Sequence, residues 1–186
     1  MTGLKITGRF SLEQVSVDIS TIKHLSLERV VDPENQFPLF VRSLSKRLDL
    51  LYISGYMSKS LIATLATLIC SRKISHIIID STCVDPVLLG VIGPSVRSLE
   101  LHRAANDMDA LDAVYAFLAS ERCNLRRFRY SGEPLDVARV IKSFRKTCPI
   151  ESLYILSEQT NANDTLERAI VNGPPTLTSV RTSWHI

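Results

Sequence analysis

Short segments of the form apolar, two variable, apolar, one variable, apolar return along this chain at a nearly constant interval. They are Ile22-Lys-His-Leu25-Ser-Leu27, Leu48-Asp-Leu-Leu51-Tyr-Ile53, Ile74-Ser-His-Ile77-Ile-Ile79, Val96-Arg-Ser-Leu99-Glu-Leu101, Leu125-Arg-Arg-Phe128-Arg-Tyr130 and Ile150-Glu-Ser-Leu153-Tyr-Ile155. Their first residues, 22, 48, 74, 96, 125 and 150, lie 26, 26, 22, 29 and 25 positions apart. A weaker copy begins at Leu177, with Val180 as second anchor and Thr182 in place of the third, and another at Met1 with Leu4 and Ile6. Apolar anchors at every second position predict a strand with one buried face, and recurrence at this period marks a repeated structural unit.

Between these extended segments the apolar spacing changes to that of a helix. Leu61, Leu65 and Leu68 recur at four-and-three spacing within Lys59 to Cys70, which places them on one helical face. Asn106-Asp107 can cap a helix whose Met108, Leu111, Val114 and Leu118 share a side, and Pro134 suits the first turn before Val137, Val140, Ile141 and Phe144. Asp164 precedes Leu166 and Ile170, and Asn172-Gly173-Pro174-Pro175 stops that run. Pro86, Gly90, Gly93 and Pro94 limit the stretch from Val84 to a short helix or 3₁₀ turn.

One strand and one helix cannot enclose a core, but stacked copies can. The expectation is a single α/β domain over residues 1–186, built from about six to seven units with strands near 22–27, 48–53, 74–79, 96–101, 125–130, 150–155 and 177–182. Its predicted form is a right-handed solenoid with a curved parallel sheet backed by helices.

The same residues resemble a leucine-rich repeat, whose pattern pairs Leu-x-x-Leu-x-Leu with a helix at a period of about 20 to 29 residues. Cys123-Asn124-Leu125 and Cys148-Pro149-Ile150 resemble the Cys-x-Leu junction of the cysteine-containing, ribonuclease-inhibitor-like repeats found in many F-box proteins, and Cys70 before Ile74 is a looser version. The resemblance spans most of Ile22 to Val180. It departs from the family in using Ile, Val and Phe at several anchors, and in placing Met57, Cys83 and Glu133 irregularly after the strands. It implies a protein-interaction domain, the substrate-recognition region of an F-box type ubiquitin-ligase adaptor, with the F-box in a segment that has no counterpart in this sequence. Repeat anchors that start near Met1 and end near Ile186 without polar caps imply either a piece of a longer chain or degenerate caps.

Composition adjusts this picture only in part. Leucine occurs 24 times while aromatic residues make up 6%, so the core is aliphatic. The hydrophobic fraction of 45% and charged fraction of 22% are those of a folded chain. Four cysteines without a CxxC pair argue against a disulfide framework or a four-ligand zinc site, and for a reducing compartment. Charges at Lys5, Arg9, Glu13, Asp18 and Lys23 interrupt any signal-peptide run, and the longest apolar window, Leu61 to Cys70, is only ten residues long. The expected location is cytoplasmic or nuclear, with no membrane partner. Asn163-Asp164-Thr165 matches a glycosylation acceptor and reads better as a helix cap. On the repeat reading the cysteines fill small buried spaces at helix ends. The alternative is a reactive thiol at Cys123, activated by Arg122, Arg126 and Arg127.

The formal net charge of +3 averages unlike regions. From Glu121 to Lys146 there are eight basic and three acidic side chains, a local +5. This basic 122–146 stretch offers a second reading, binding to nucleic acid or an acidic partner, but it lacks the aromatic interleaving of single-strand binding motifs, so a solvated surface is preferred. A third reading is a small α/β enzyme using Asp80 at the carboxyl end of Ile77-Ile-Ile. No G-x-S-x-G, phosphate-loop or H-E-x-x-H motif occurs, and His24, His76, His102 and His185 have no metal-ligand spacing. The chain is therefore expected to be non-catalytic and to use neither cofactor nor metal.

Alternation turns the residues between the anchors toward the open face. One column holds Ser26, Tyr52, Ile78, Glu100, Arg129, Tyr154 and Arg181, and the next holds His24, Leu50, His76, Ser98, Arg127, Ser152 and Ser179. Solenoids bind partners on such concave sheets, and Tyr and Arg dominate interface hot spots. The expected partner-binding residues are Tyr52, His76, Ile78, Glu100, Arg127, Arg129, Tyr154 and Arg181, facing a protein partner on the concave sheet.

Overall fold

The computed structural model describes residues 3–15, 18–80, 85–104, 108–132, 135–157 and 163–183. The alternating segments form strands β1 (Gly3–Arg9), β2 (His24–Val31), β3 (Arg47–Ser54), β4 (Lys73–Asp80), β5 (Ser98–Ala104), β6 (Arg127–Gly132), β7 (Ser152–Ser157) and β8 (Ser179–Ser183). All eight pair in parallel, in chain order from β1 to β8. Among the described residues six α-helices connect them: α1 (Phe37–Ser43), α2 (Lys59–Ser71), α3 (Pro86–Gly90), α4 (Met108–Ala119), α5 (Val137–Ser143) and α6 (Asn163–Val171). The predicted cap at Asn106-Asp107, the turn at Pro134 and Cys83 and Glu133 lie outside the described residues.

Four of the described helices, α1, α2, α3 and α5, start where the sequence supplies an acceptor. Ser58 accepts from the Leu61 N–H, Asp85 from Val87 and Asp136 from Arg139, satisfying amide donors that the first turn leaves free. Asp32 accepts from the N–H groups of Gln36 and Phe37, both at 2.9 Å, and starts α1, a helix the periodicity does not predict. Each helix also packs on the next, α1 through α6, so the helices form one layer.

That layer covers one face of the sheet. Leu25, Leu51, Ile77, Leu99, Phe128 and Leu153 stand level across β2 to β7, and each is at most 1% exposed. Leu27, Ile53, Ile79, Leu101, Tyr130 and Ile155 form a second buried row. Leu65, Leu68, Val140 and Ile141 close over these rows from the helices. At the β1 side Phe10, Phe37 and Phe40 pack with ring centroids 5.3 to 5.5 Å apart, Phe10 edge-on to the other two, beside a β1–β2 link that contains two 3₁₀ turns, Leu12–Gln14 and Ile19–Thr21.

The expected leucine-rich-repeat solenoid is corrected here. The sheet is one flat, uncurled, all-parallel layer of eight strands with six helices, so the curved solenoid and its concave binding surface are both absent from the described residues. The repeated motif records only which residues face inward and that neighbouring strands run parallel. Solenoid curvature needs a constant small rotation at every unit, and these units are unequal: α2 has 13 residues and α3 has 5. The resemblance to cysteine-containing repeats of F-box proteins does not extend to the fold, so the ubiquitin-ligase adaptor role loses the support it drew from that resemblance.

The pairing of β1 with β2 shifts between Thr7 and Arg9, where Gly8 (φ +76°) stands opposite two β2 residues, Arg29 (φ +50°) and Val30. Gly55, with φ +87°, leaves β3 so close to Arg29 that a Cβ would lie 2.8 Å from its Cγ.

Two junction cysteines share one buried contact. Cys123 and Cys148 have sulfurs 3.7 Å apart, and Cys148 also reaches the Leu125 carbonyl at 3.7 Å. The hydrogen bond to Cys148, with burial, pushes the Cys123 thiol up, which argues against the reactive thiol. Cys70, by contrast, is exposed.

Two outcomes are expected. Ile77→Ala should cost about 2–5 kcal/mol in urea denaturation, whereas Ile78→Ala, one residue along on the other face, should cost about 1 kcal/mol or less; similar losses would contradict the one-sided core. Iodoacetamide should modify Cys70 in the native protein and leave Cys123 unmodified between about pH 7 and about pH 9, because a raised thiol keeps its proton through that window. Cys123 should react only after unfolding, as read by peptide mass spectrometry.

Candidate functional site

The face opposite the helices presents three level rows of side chains. His24, Leu50, His76, Ser98, Arg127, Ser152 and Ser179 form the first. Ser26, Tyr52, Ile78, Glu100, Arg129, Tyr154 and Arg181 form the second. Glu28, Ser54, Asp80, His102 and Ser131 form the third. All eight residues expected to bind a partner therefore stand on one face in two adjacent rows.

Glu100 is the centre of this face. Its Oε1 lies 2.9 Å from His76 Nε2 on β4, and its Oε2 lies 3.1 Å from His102 Nε2 and 3.8 Å from Arg129 Nη1 on β6. The carboxylate is 19% exposed, so these partners replace much of the water it has lost. His102 Nδ1 in turn meets Ser131 Oγ at 2.9 Å. The Arg129 guanidinium lies over the Tyr154 ring at 4.8 Å from its centroid, a cation–π contact that fixes its plane.

Beside Glu100 the side chains surround a cavity of about 360 Å³ lined by His76, Ser98, Glu100, Arg127, Arg129, Ser152, Tyr154 and Arg181. Arg127 and Arg181 are exposed, and among the described residues neither guanidinium has an ion-pair partner. Tyr52 and Ile78 lie outside this cavity. The Tyr52 hydroxyl donates to Asp80 Oδ2 at 3.0 Å, and Ile78 stands between Tyr52 and Glu100 in the second row.

His102 and Ser131 escape the sequence reading because only two outward columns are followed there. One further step of the same alternation, from Glu100 to 102 and from Arg129 to 131, would reach both.

Ser131, His102 and Glu100 follow one another in the order of a nucleophile, a base and an acid. Such chemistry also needs donors aimed at a developing oxyanion. Ser131 instead sits within β6, level with Leu156 of β7, rather than on a turn that would aim free backbone N–H groups beside its hydroxyl. The chain of contacts acts as a polar seam that satisfies half-buried groups. Among the described residues no three His, Cys, Asp or Glu side chains gather as a metal site.

The basic 122–146 stretch divides between surfaces. Arg127 and Arg129 face the open sheet, while Arg139 belongs to α5, pairs with Asp112 at 3.3 Å and covers the Tyr115 ring at 3.9 Å. Arg126 pairs with Glu151 and Arg145 with Glu121. No family model, curated protein or solved structure matches the chain.

Glu100→Ala should cost about 1–3 kcal/mol, because it strips His76 and His102 of a shared acceptor. A urea-denaturation cycle checks this: His76→Ala should cost clearly less in the Glu100→Ala background than in the wild type, and additive losses would show that the pair is uncoupled.

Proposed function

We propose that this chain is a non-catalytic protein–protein interaction domain that binds through its open sheet face, around Glu100, Arg127, Arg129, Tyr154 and Arg181. The carrying observation is the cavity in the second and first rows, where three arginines and a tyrosine gather on a face that the helices leave uncovered. Arg and Tyr combine large contact area with directed hydrogen bonds and are enriched among the few residues that dominate binding energy. Rigidity favours the same face: these side chains rise from paired strands, and Glu100 and Tyr154 restrain Arg129. The partner mode is docking into a shallow depression on a flat sheet, not wrapping within a concave one.

Binding to nucleic acid through the 122–146 stretch has less support, since its cations point to different surfaces and several are already paired. An Asp80 enzyme also has less support, since that carboxylate accepts from Tyr52. Among the described residues no helix is long and apolar enough to cross a membrane. We place the domain in the cytoplasm or nucleus, a reading supported by free thiols at Cys123 and Cys148.

Affinity purification with wild type and Arg129→Glu/Tyr154→Ala tests the proposal, with circular dichroism to match the folded fractions. The double variant should lose its specific partners, with binding weakened by about thirtyfold or more, the effect of losing one hot spot of about 2 kcal/mol. Identical partner sets would refute the assignment of this face.

A further inference from the structure

The geometry points to a phosphate monoester, carried on a phosphorylated side chain of the partner, as the group that enters the cavity beside Glu100. This inference rests on the open face being the binding surface and adds the chemistry of what is bound.

Charge is the first argument. Arg127, Arg129 and Arg181 line the cavity with one carboxylate, Glu100, so with neutral histidines its charge is three minus one, or +2. A phosphate monoester carries about −1.5 to −2 near neutral pH, whereas one aspartate or glutamate side chain would balance half of that field. Glu100, held in place by His76 and His102, offsets one of the three arginine charges and leaves two for an incoming anion. Arg127 and Arg181 have no ion-pair partner among the described residues, so nothing there need be displaced.

Donor geometry is the second. Arg127 and Arg129 are two residues apart on β6, about 6.6 Å along the strand, and point to the same face. Arg181 lies two strands away, about 9.6 Å across the sheet, level with Tyr154 and Arg129. The three therefore stand around a depression rather than along a line. Guanidinium groups bind phosphate oxygens through paired, coplanar N–H donors. Ser98 and Ser152, level with Arg127 on either side and part of the lining, add hydroxyl donors at the floor. Tyr154, whose face holds the Arg129 plane, supplies the apolar wall against which the residue bearing the phosphate can pack.

The test uses fluorescence anisotropy at about 0.15 M salt, where unfocused charge attraction is screened. The probes are three labelled pools of random-sequence peptides with a fixed central phosphotyrosine, phosphoserine or unphosphorylated tyrosine, and inorganic phosphate is the competitor. At least one phosphorylated pool should bind about tenfold or more tightly than the unphosphorylated pool, and Arg127→Gln/Arg181→Gln should remove that advantage. Lys142→Gln/Lys146→Gln, which deletes the same charge outside the cavity, should change binding less than about twofold. Equal binding of all three pools, equal losses in the two double variants, or inorganic phosphate binding as tightly as the phosphopeptides would overturn the inference. If phosphorylation makes no difference while Arg129→Glu/Tyr154→Ala still loses its partners, the binding face stands and the phosphate assignment alone fails.

Discussion

Parallel strands that follow one another in chain order place a strict demand on what connects them. Each crossover must return to the same end of the sheet, and its right-handed sense sends it over the same face every time. All helices are thereby committed to one side, and each strand becomes two-natured: every second residue is sealed under the helix layer and the others stay beside solvent. From Leu25 to Val180 this constraint decides which residue can be aliphatic and which can be charged. It is also why the sheet tolerates Glu100, His76, His102 and Arg129 in the middle of its central strands. On a sheet covered on both faces the same four groups would be buried charge with little water to share.

The open face handles its polarity unevenly. Between β4 and β6 the groups satisfy one another: histidines hold both oxygens of Glu100, Ser131 holds His102, and Tyr154 holds the plane of Arg129. Toward β8 the balance shifts to positive charge, with Arg127 and Arg181 at the rim and without an ion-pair partner among the described residues. For the proposed binding role, a fixed centre would limit the entropy lost on binding and a cationic rim would provide attraction.

The alternation and period of the chain carried much of this arrangement in legible form, because both depend on local chemistry. The in-or-out direction of each strand residue follows from the pleat, so the outward columns through Ser26 to Arg181 and His24 to Ser179 could be written down from spacing alone. Helix α2 was legible for the same reason, through Leu61, Leu65 and Leu68. Curvature was not, because it depends on the relative widths of two layers summed over all units, and no single motif contains that sum. α1 was hidden because its stretch, Phe37-Pro-Leu-Phe, is too short to establish a period and starts on an Asp32 carboxylate four and five residues upstream. The joining of Glu100 to His76 and Arg129 is equally non-local, since those residues come from units 24 and 29 positions away.

The irregularity at Gly8 has a bearing on how this molecule behaves in company. An outermost parallel strand offers a row of unused amide and carbonyl groups, and a straight one is a template on which a second copy can add its own edge. Opposite Gly8, whose backbone is left-handed, β2 takes one extra residue, with Arg29 also at positive φ, so the pairing of the two outermost strands slips by a residue. Lys5 and Arg9, held by Glu28 and Glu34, place charge on the same border. A bulge flanked by charges is how sheets discourage edge-to-edge growth, and here it makes the β1 margin a poor seed for ordered self-association.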